Sequence, residues 1–120
     1  MMQQLTTILI VLIAIEHVLF LIVEMFFWNK VAERAFGPMS LDDARASEAL
    51  AGNMGLYNGF LAAGLIWGLT SADPAALHIK TFFLVCIVVA GVYGAYSVKP
   101  RVLLIQALPA AIALALLWMA

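Results

Sequence analysis

Glu16 and His17 stand side by side, and Glu24 follows two helical turns later, inside the apolar run Leu5–Phe27. A carboxylic acid beside an imidazole supplies a proton donor and a proton acceptor, the pair that isomerisation, cyclisation or hydrolysis requires. At ~100° per residue the three side chains fall within a sector of roughly 100°, with His17 and Glu24 nearly aligned. Intramembrane ionisable groups cost at least ~2.5–3.5 kcal/mol to insert, so a functional role is the default reading for Glu16. Polar groups on other parts of the chain stand at comparable positions: Asn53, Tyr57 and Asn58, then Tyr93 and Tyr96, then Gln106. These are the candidate substrate-binding residues, with Glu16, His17 and Glu24 as the candidate catalytic groups.

The elements that carry these residues must cross a bilayer. The chain has 120 residues, of which 66% are hydrophobic, and its mean hydropathy is +1.08. A soluble domain sits nearer 45–50% apolar. Four apolar stretches stand out, at about residues 5–27, 54–70, 77–98 and 102–119. Each is about long enough for a ~30 Å hydrocarbon core at ~1.5 Å per residue. The expected fold is therefore all-α: one integral membrane domain over residues 1–120, built as a four-transmembrane-helix bundle. The first apolar run has no Lys or Arg before it, exceeds the length of a signal-peptide core and lacks a following small-residue cleavage site, which predicts a retained helix.

Punctuation is concentrated between the runs. In "GPMSLDDARASEALAGNMG", Ser40 followed by Asp43 reads as a capping-box-like start of a short amphipathic helix in the first loop, continuing towards the second span. Asp73-Pro74 reads as an N-cap with Pro at N1 for the third span. The final connection, Lys99-Pro100-Arg101, is a tight turn between antiparallel neighbours. Lys30, Arg34, Arg45, Lys99 and Arg101 lie in loops one and three, against Lys80 alone on the other side. The positive-inside rule then predicts a multi-pass protein of the cell inner membrane, loops one and three cytoplasmic and both termini outside.

Depth gathers the polar groups on the loop-one side. Counting from that end of the first span, Glu24 lies ~5 Å in, and Glu16 and His17 ~15 Å in, near the midplane. The opposite half of the core holds only Lys80, which is expected to snorkel, and Thr81. Small residues line two seams, Gly52, Gly55, Gly59 and Ala63 on one helix and Ala90, Gly91, Gly94 and Ala95 on another, which permit close helix approach within the chain or in a homodimer. Pro109 frees the carbonyl of Ile105, next to Gln106.

Other classes are disfavoured. A net charge of −1 gives no basic patch for nucleic acid. The lone Cys86 reads as a packing residue. Glu16, His17 and Glu24 have the wrong spacing for a metal on one helix, and His17 and His78 lie too far apart to ligate a haem, so no metal or cofactor is expected.

The runs "EHVLFLIVEMFFW", "NMGLYNGFLAAGL", "AGVYGAYS" and "QALPAAIAL" together resemble the small four-helix integral membrane proteins grouped as domain of unknown function 1304. The resemblance spans nearly the whole chain, and its most specific parts are Glu16-His17 with Glu24 and Trp28, and Asn53-x-Gly55-x-Tyr57-Asn58. It implies the same architecture, marks these residues as hallmark positions and carries no activity. Three functions stay open. One is a membrane-embedded acid–base enzyme or binder for a lipophilic small molecule. The others are a small proton-coupled transporter working as a homodimer, and a structural accessory subunit.

Overall fold

The computed structural model describes residues 1–120, with every side chain but those of residues 35 and 36. The chain is helical almost throughout: α1 (Met2–Phe26), α2 (Trp28–Phe36), α3 (Leu41–Ala46), α4 (Glu48–Thr70), α5 (Ala75–Ser97), a π-helical turn (Leu103–Ala107) and α6 (Leu108–Met119). Three helices, α1, α4 and α5, are long and apolar enough to cross a membrane. The π-turn and α6 form a shorter apolar rod, Leu103–Met119.

The four rods pack in a ring. α1 lies against α4 and α6, and α5 lies against α4, α6 and the π-turn. Among the described residues α1 and α5 face each other diagonally without close backbone approach. The common core is Ile10, Ile13 and Ala14 from α1, Leu65 from α4, Leu84 and Ile87 from α5, and Ala110 and Ala113 from α6. The molecule is elongated, 48 × 24 × 19 Å, as antiparallel rods of this length must be.

The small-residue seams are filled within the chain at Gly55, Gly59, Gly91 and Gly94, while Gly52 is open and Ala63 and Ala90 are exposed. A Cβ on Gly59 would run into Leu21 Cδ1, and one on Gly55 would lie 2.8 Å from Met25 Cγ. Glycine thus lets α4 approach α1 closely. On α5, Gly91 does the same for the π-turn, where a Cβ would lie 2.6 Å from the Ala107 nitrogen.

The first loop holds two short helices where the sequence predicts one. α2 begins directly after a bend at Phe27, whose φ is −127°. Its buried Trp28 and Ala32, one turn apart, pack against Ala44 and Ala51, while Asn29, Lys30, Glu33 and Arg34 are exposed. Gly37 closes α2 at φ 92°, a left-handed conformation suited to glycine. α3 starts as the capping motif predicts: Ser40 Oγ accepts from the Asp43 N–H at 3.1 Å. It ends at Ser47, so the helix does not run unbroken into the second span. Ser47 Oγ accepts from Trp28 Nε1–H at 2.9 Å and donates to the Asp43 carbonyl at 3.0 Å. That contact ties the start of α2 to the start of α4. The Arg101 guanidinium donates to the Arg34 carbonyl, joining the first loop to the third.

Two boundaries differ from expectation. α4 begins at Glu48, six residues before the apolar run, because Glu-Ala-Leu-Ala contains no breaker. α5 takes Pro74, not Asp73, as its N-cap, and no side chain caps it. The turn is closed instead by the backbone, with Ala76 N–H donating to the Ala72 carbonyl at 3.0 Å.

Candidate functional site

His17 is fully buried, at 0% exposure. Its Nδ1 lies 2.8 Å from the Ile13 carbonyl, one turn back on α1. A carbonyl can only accept, so Nδ1 carries the proton. Nε2 is 3.2 Å from the side-chain nitrogen of Gln106. With Nδ1 protonated, the neutral ring offers a lone pair at Nε2, and the Gln106 amide donates to it. Phe20 closes over the ring edge-to-face, centroids 5.3 Å apart. Both ring nitrogens are engaged, as a buried polar group in a water-poor core must be.

The π-turn places Gln106 there. In Leu103–Ala107 the ladder widens to five-residue bonds, and Leu108 N–H donates to the Leu103 carbonyl. One extra residue per turn shifts the azimuth of everything before it relative to α6. Pro109, which can donate no hydrogen bond, sits where α6 resumes. Such single π-turns recur at functional positions. The sequence marks the break through Pro109 but not its π form, because the hydrophobic pattern is the same for either ladder.

One residue before His17, Glu16 is half-buried. Its Oε1 is inaccessible to solvent and has no hydrogen-bond partner among the described residues. A buried acceptor left in that state costs about 1–3 kcal/mol. Glu24, seven residues beyond His17 and so ~10 Å along the axis, is engaged. Its Oε1 accepts from Asn58 Nδ2 at 2.6 Å, bridging α1 and α4.

The structure therefore brings together His17 with Gln106 and Glu24 with Asn58, with Glu16 adjacent on α1. It does not bring in the remaining predicted residues. Asn53 is exposed, and Tyr57, Tyr93 and Tyr96 are 65%, 68% and 89% exposed on the outer faces of α4 and α5. Tyr57 packs edge-to-face on Phe60, ring centroids 5.7 Å apart. Depth along a helix is readable from sequence, but azimuth around a bundle depends on which faces pair. Among the described residues no group of three or more His, Cys, Asp and Glu side chains is placed to hold a metal ion.

A cleft of about 490 Å³ opens at the opposite end of the bundle. It is bordered by Gln3, Thr6 and Thr7 of α1, by Asp73 and Lys80 around the start of α5, and by Trp118 at the end of α6. Sequence reasoning read Asp73 only as a cap and Lys80 only as a snorkelling cation; that both border one cleft depends on the α4–α5 turn.

The comparisons with known proteins give the family. The model of the family described as "Protein of unknown function (DUF1304)" matches residues 11–118. The uncharacterized protein YpaA of Lactococcus lactis subsp. lactis (strain IL1403) is 31% identical over 107 residues, covering 88% of this chain and 89% of the relative. No solved structure matches significantly. The matched region contains Glu16, His17, Glu24, Asn58 and Gln106, and with 108 of the chain's residues inside the family model, from 11 to 118 inclusive, this protein belongs to the DUF1304 family.

Proposed function

We propose that the chain is an integral membrane protein in which all four rods cross the bilayer, and that the Glu16–His17–Gln106 cluster binds a lipophilic small molecule and acts on it by proton transfer. The single observation that carries this reading is the buried, unpartnered Glu16 Oε1, one residue before a histidine whose ring nitrogens are both engaged. A cluster built only for assembly would leave no acceptor idle at that depth. A ligand hydroxyl or amide meeting Glu16 Oε1 removes the deficit. With the ligand held there, the Glu16 carboxyl gives or takes the proton at the reacting atom. His17 is the complementary base or acid through Nε2, once the Gln106 amide moves aside. Asn58 holds Glu24 at the shallower end of the same wall.

The fourth rod, Leu103–Met119, spans ~25 Å at helical rise, enough for the hydrocarbon core with slight local thinning. The excess of Lys30, Arg34, Arg45, Lys99 and Arg101 over Lys80 supports an inner-membrane orientation with loops one and three on the cytoplasmic side.

The test is the organic extract of the purified protein. Wild-type protein should carry a lipophilic compound at about one molecule per chain, as a single binding site requires. Glu16→Leu should lose it, and Lys80→Met, at the far end, should retain it. Identical extracts from wild type and Glu16→Leu would refute the assignment.

A further inference from the structure

The cleft at the opposite end of the bundle uses none of the residues proposed for the acid–base site. Thr6 and His17 are eleven residues apart on α1, ~16 Å along the axis. Its walls come from the first turns of α1, the α4–α5 connection and the last turn of α6. These helix ends mark the boundary between hydrocarbon and headgroups, where Trp118 also sits, 58% exposed.

The chemistry of the cleft is dipolar. Lys80, on α5, and Asp73, in the turn that precedes it, both border the cleft. Side chains lean towards a helix N-terminus, so Lys80 is directed to the Asp73 end. Gly68 enforces this path: a Cβ there would lie 2.6 Å from Lys80 Cγ, so its absence lets the lysine stem lie across α4. Yet among the described residues neither the Lys80 ammonium nor the Asp73 carboxylate forms an ion pair or a hydrogen bond. The hydroxyl of Thr6, 4% exposed, donates to the Met2 carbonyl at 2.8 Å, which leaves its oxygen free to accept. Among the described residues Thr7 makes no hydrogen bond through its side chain, so its hydroxyl is available to donate.

We infer that this cleft binds the headgroup of a phosphatidylethanolamine-type lipid, its phosphate on Lys80 and its primary ammonium on Asp73. One cation and one anion in the cleft match a zwitterion of opposite polarity. An anionic phospholipid could set its phosphate on Lys80 but brings no cation to meet the Asp73 carboxylate. A trimethylammonium headgroup has no N–H to donate to a carboxylate, whereas a primary ammonium has three. The volume of about 490 Å³ lies within the range of small-molecule sites, ~300–1,000 Å³. Leu117 on the wall continues into the apolar flank of α6, where the acyl chains would lie. The inference rests on the membrane reading above, but not on the chemistry of Glu16.

Native mass spectrometry of detergent-purified protein with equimolar dioleoyl phosphatidylethanolamine, phosphatidylcholine and phosphatidylglycerol tests it. The ethanolamine lipid should be retained about tenfold better than the other two, the scale of one charge-assisted hydrogen bond. Lys80→Met, which keeps the stem over Gly68, and Asp73→Asn should each reduce it to the level of the choline lipid. Lys30→Met and Glu16→Leu should leave the preference intact. Soluble phosphoethanolamine at the same concentration should not displace the lipid. Equal retention of all three lipids, preference for the glycerol lipid, or an unchanged preference in Lys80→Met would overturn the inference. Displacement by soluble phosphoethanolamine would overturn the lipid assignment in favour of a free zwitterion. A chain that stays dispersed in water once detergent is removed would instead sink the membrane reading itself.

Discussion

Gly91→Ala puts the packing of the site under the sharpest strain. A Cβ at Gly91 would stand 2.6 Å from the Ala107 nitrogen, 2.7 Å from its Cβ and 2.9 Å from its Cα, where ordinary contacts run 3.4–4 Å. The obstacle is mostly backbone, so no rotamer change relieves it. α5 and the π-turn must part by roughly 0.8 Å, and overpacking of this kind costs about 1–3 kcal/mol. Alanine returns about 0.8–1 kcal/mol through its better helix propensity. The net expectation is a loss of roughly 0–2 kcal/mol of stability, the difference of those two effects, so the His17 readout is the decisive one. Because Ala107 follows Gln106, the same shift stretches the 3.2 Å contact between Gln106 and His17 Nε2 beyond hydrogen-bonding range. Equilibrium unfolding of purified protein in mixed micelles reads the first effect, and the ¹⁵N resonance of His17 Nε2 reads the second. Gly52→Ala is the control: nothing lies within 4 Å of its Cβ position, so it should raise stability by about 0.5–1 kcal/mol. If Gly91→Ala is as stable as wild type and leaves His17 unmoved, the seam between α5 and the π-turn is not as described.

Three further substitutions probe separate contacts. Asn58→Leu removes the donor to Glu24 and should cost about 0.6–1.7 kcal/mol, the measured range for interhelical bonds in membranes, in the same unfolding assay. Trp28→Phe loses the indole donor to Ser47 and should destabilise by about 1 kcal/mol, with faster proteolysis of the α2–α3 segment. Glu16→Gln keeps the shape and hydrogen-bonding capacity of the side chain and should leave expression and unfolding unchanged; failure to fold would show that Glu16 is structural.

Long apolar runs made the helices readable, since a backbone in hydrocarbon must satisfy its own hydrogen bonds. The α3 start was readable for a local reason, the Ser40 side chain and the Asp43 N–H being three residues apart. α2 was not, because its buried Trp28 and Ala32 find their partners, Ala44 and Ala51, only after the chain turns at Gly37. The same limit divides the site. His17 and Glu24 were traceable by spacing on one helix. The pairing of Gln106 with His17 depends on a π-turn that no hydrophobic period reveals. Tyr93 and Tyr96 stand at the depth of the cluster, yet α5 turns them outward. Asp73 and Lys80 border one cleft because of the α4–α5 turn, and Gly68 leaves room for the lysine stem beside α4.

The central claim is that Glu16 presents a free carboxyl group to the membrane interior. N,N′-dicyclohexylcarbodiimide partitions into hydrocarbon and adds to carboxylic acids there, so mass spectrometry of the labelled protein in bilayers tests it directly. The account predicts one adduct on Glu16, ahead of Glu24, whose carboxyl is held by Asn58, and suppression of that adduct by the co-purifying compound. Labelling of Glu24 or of loop carboxylates with Glu16 untouched would contradict it.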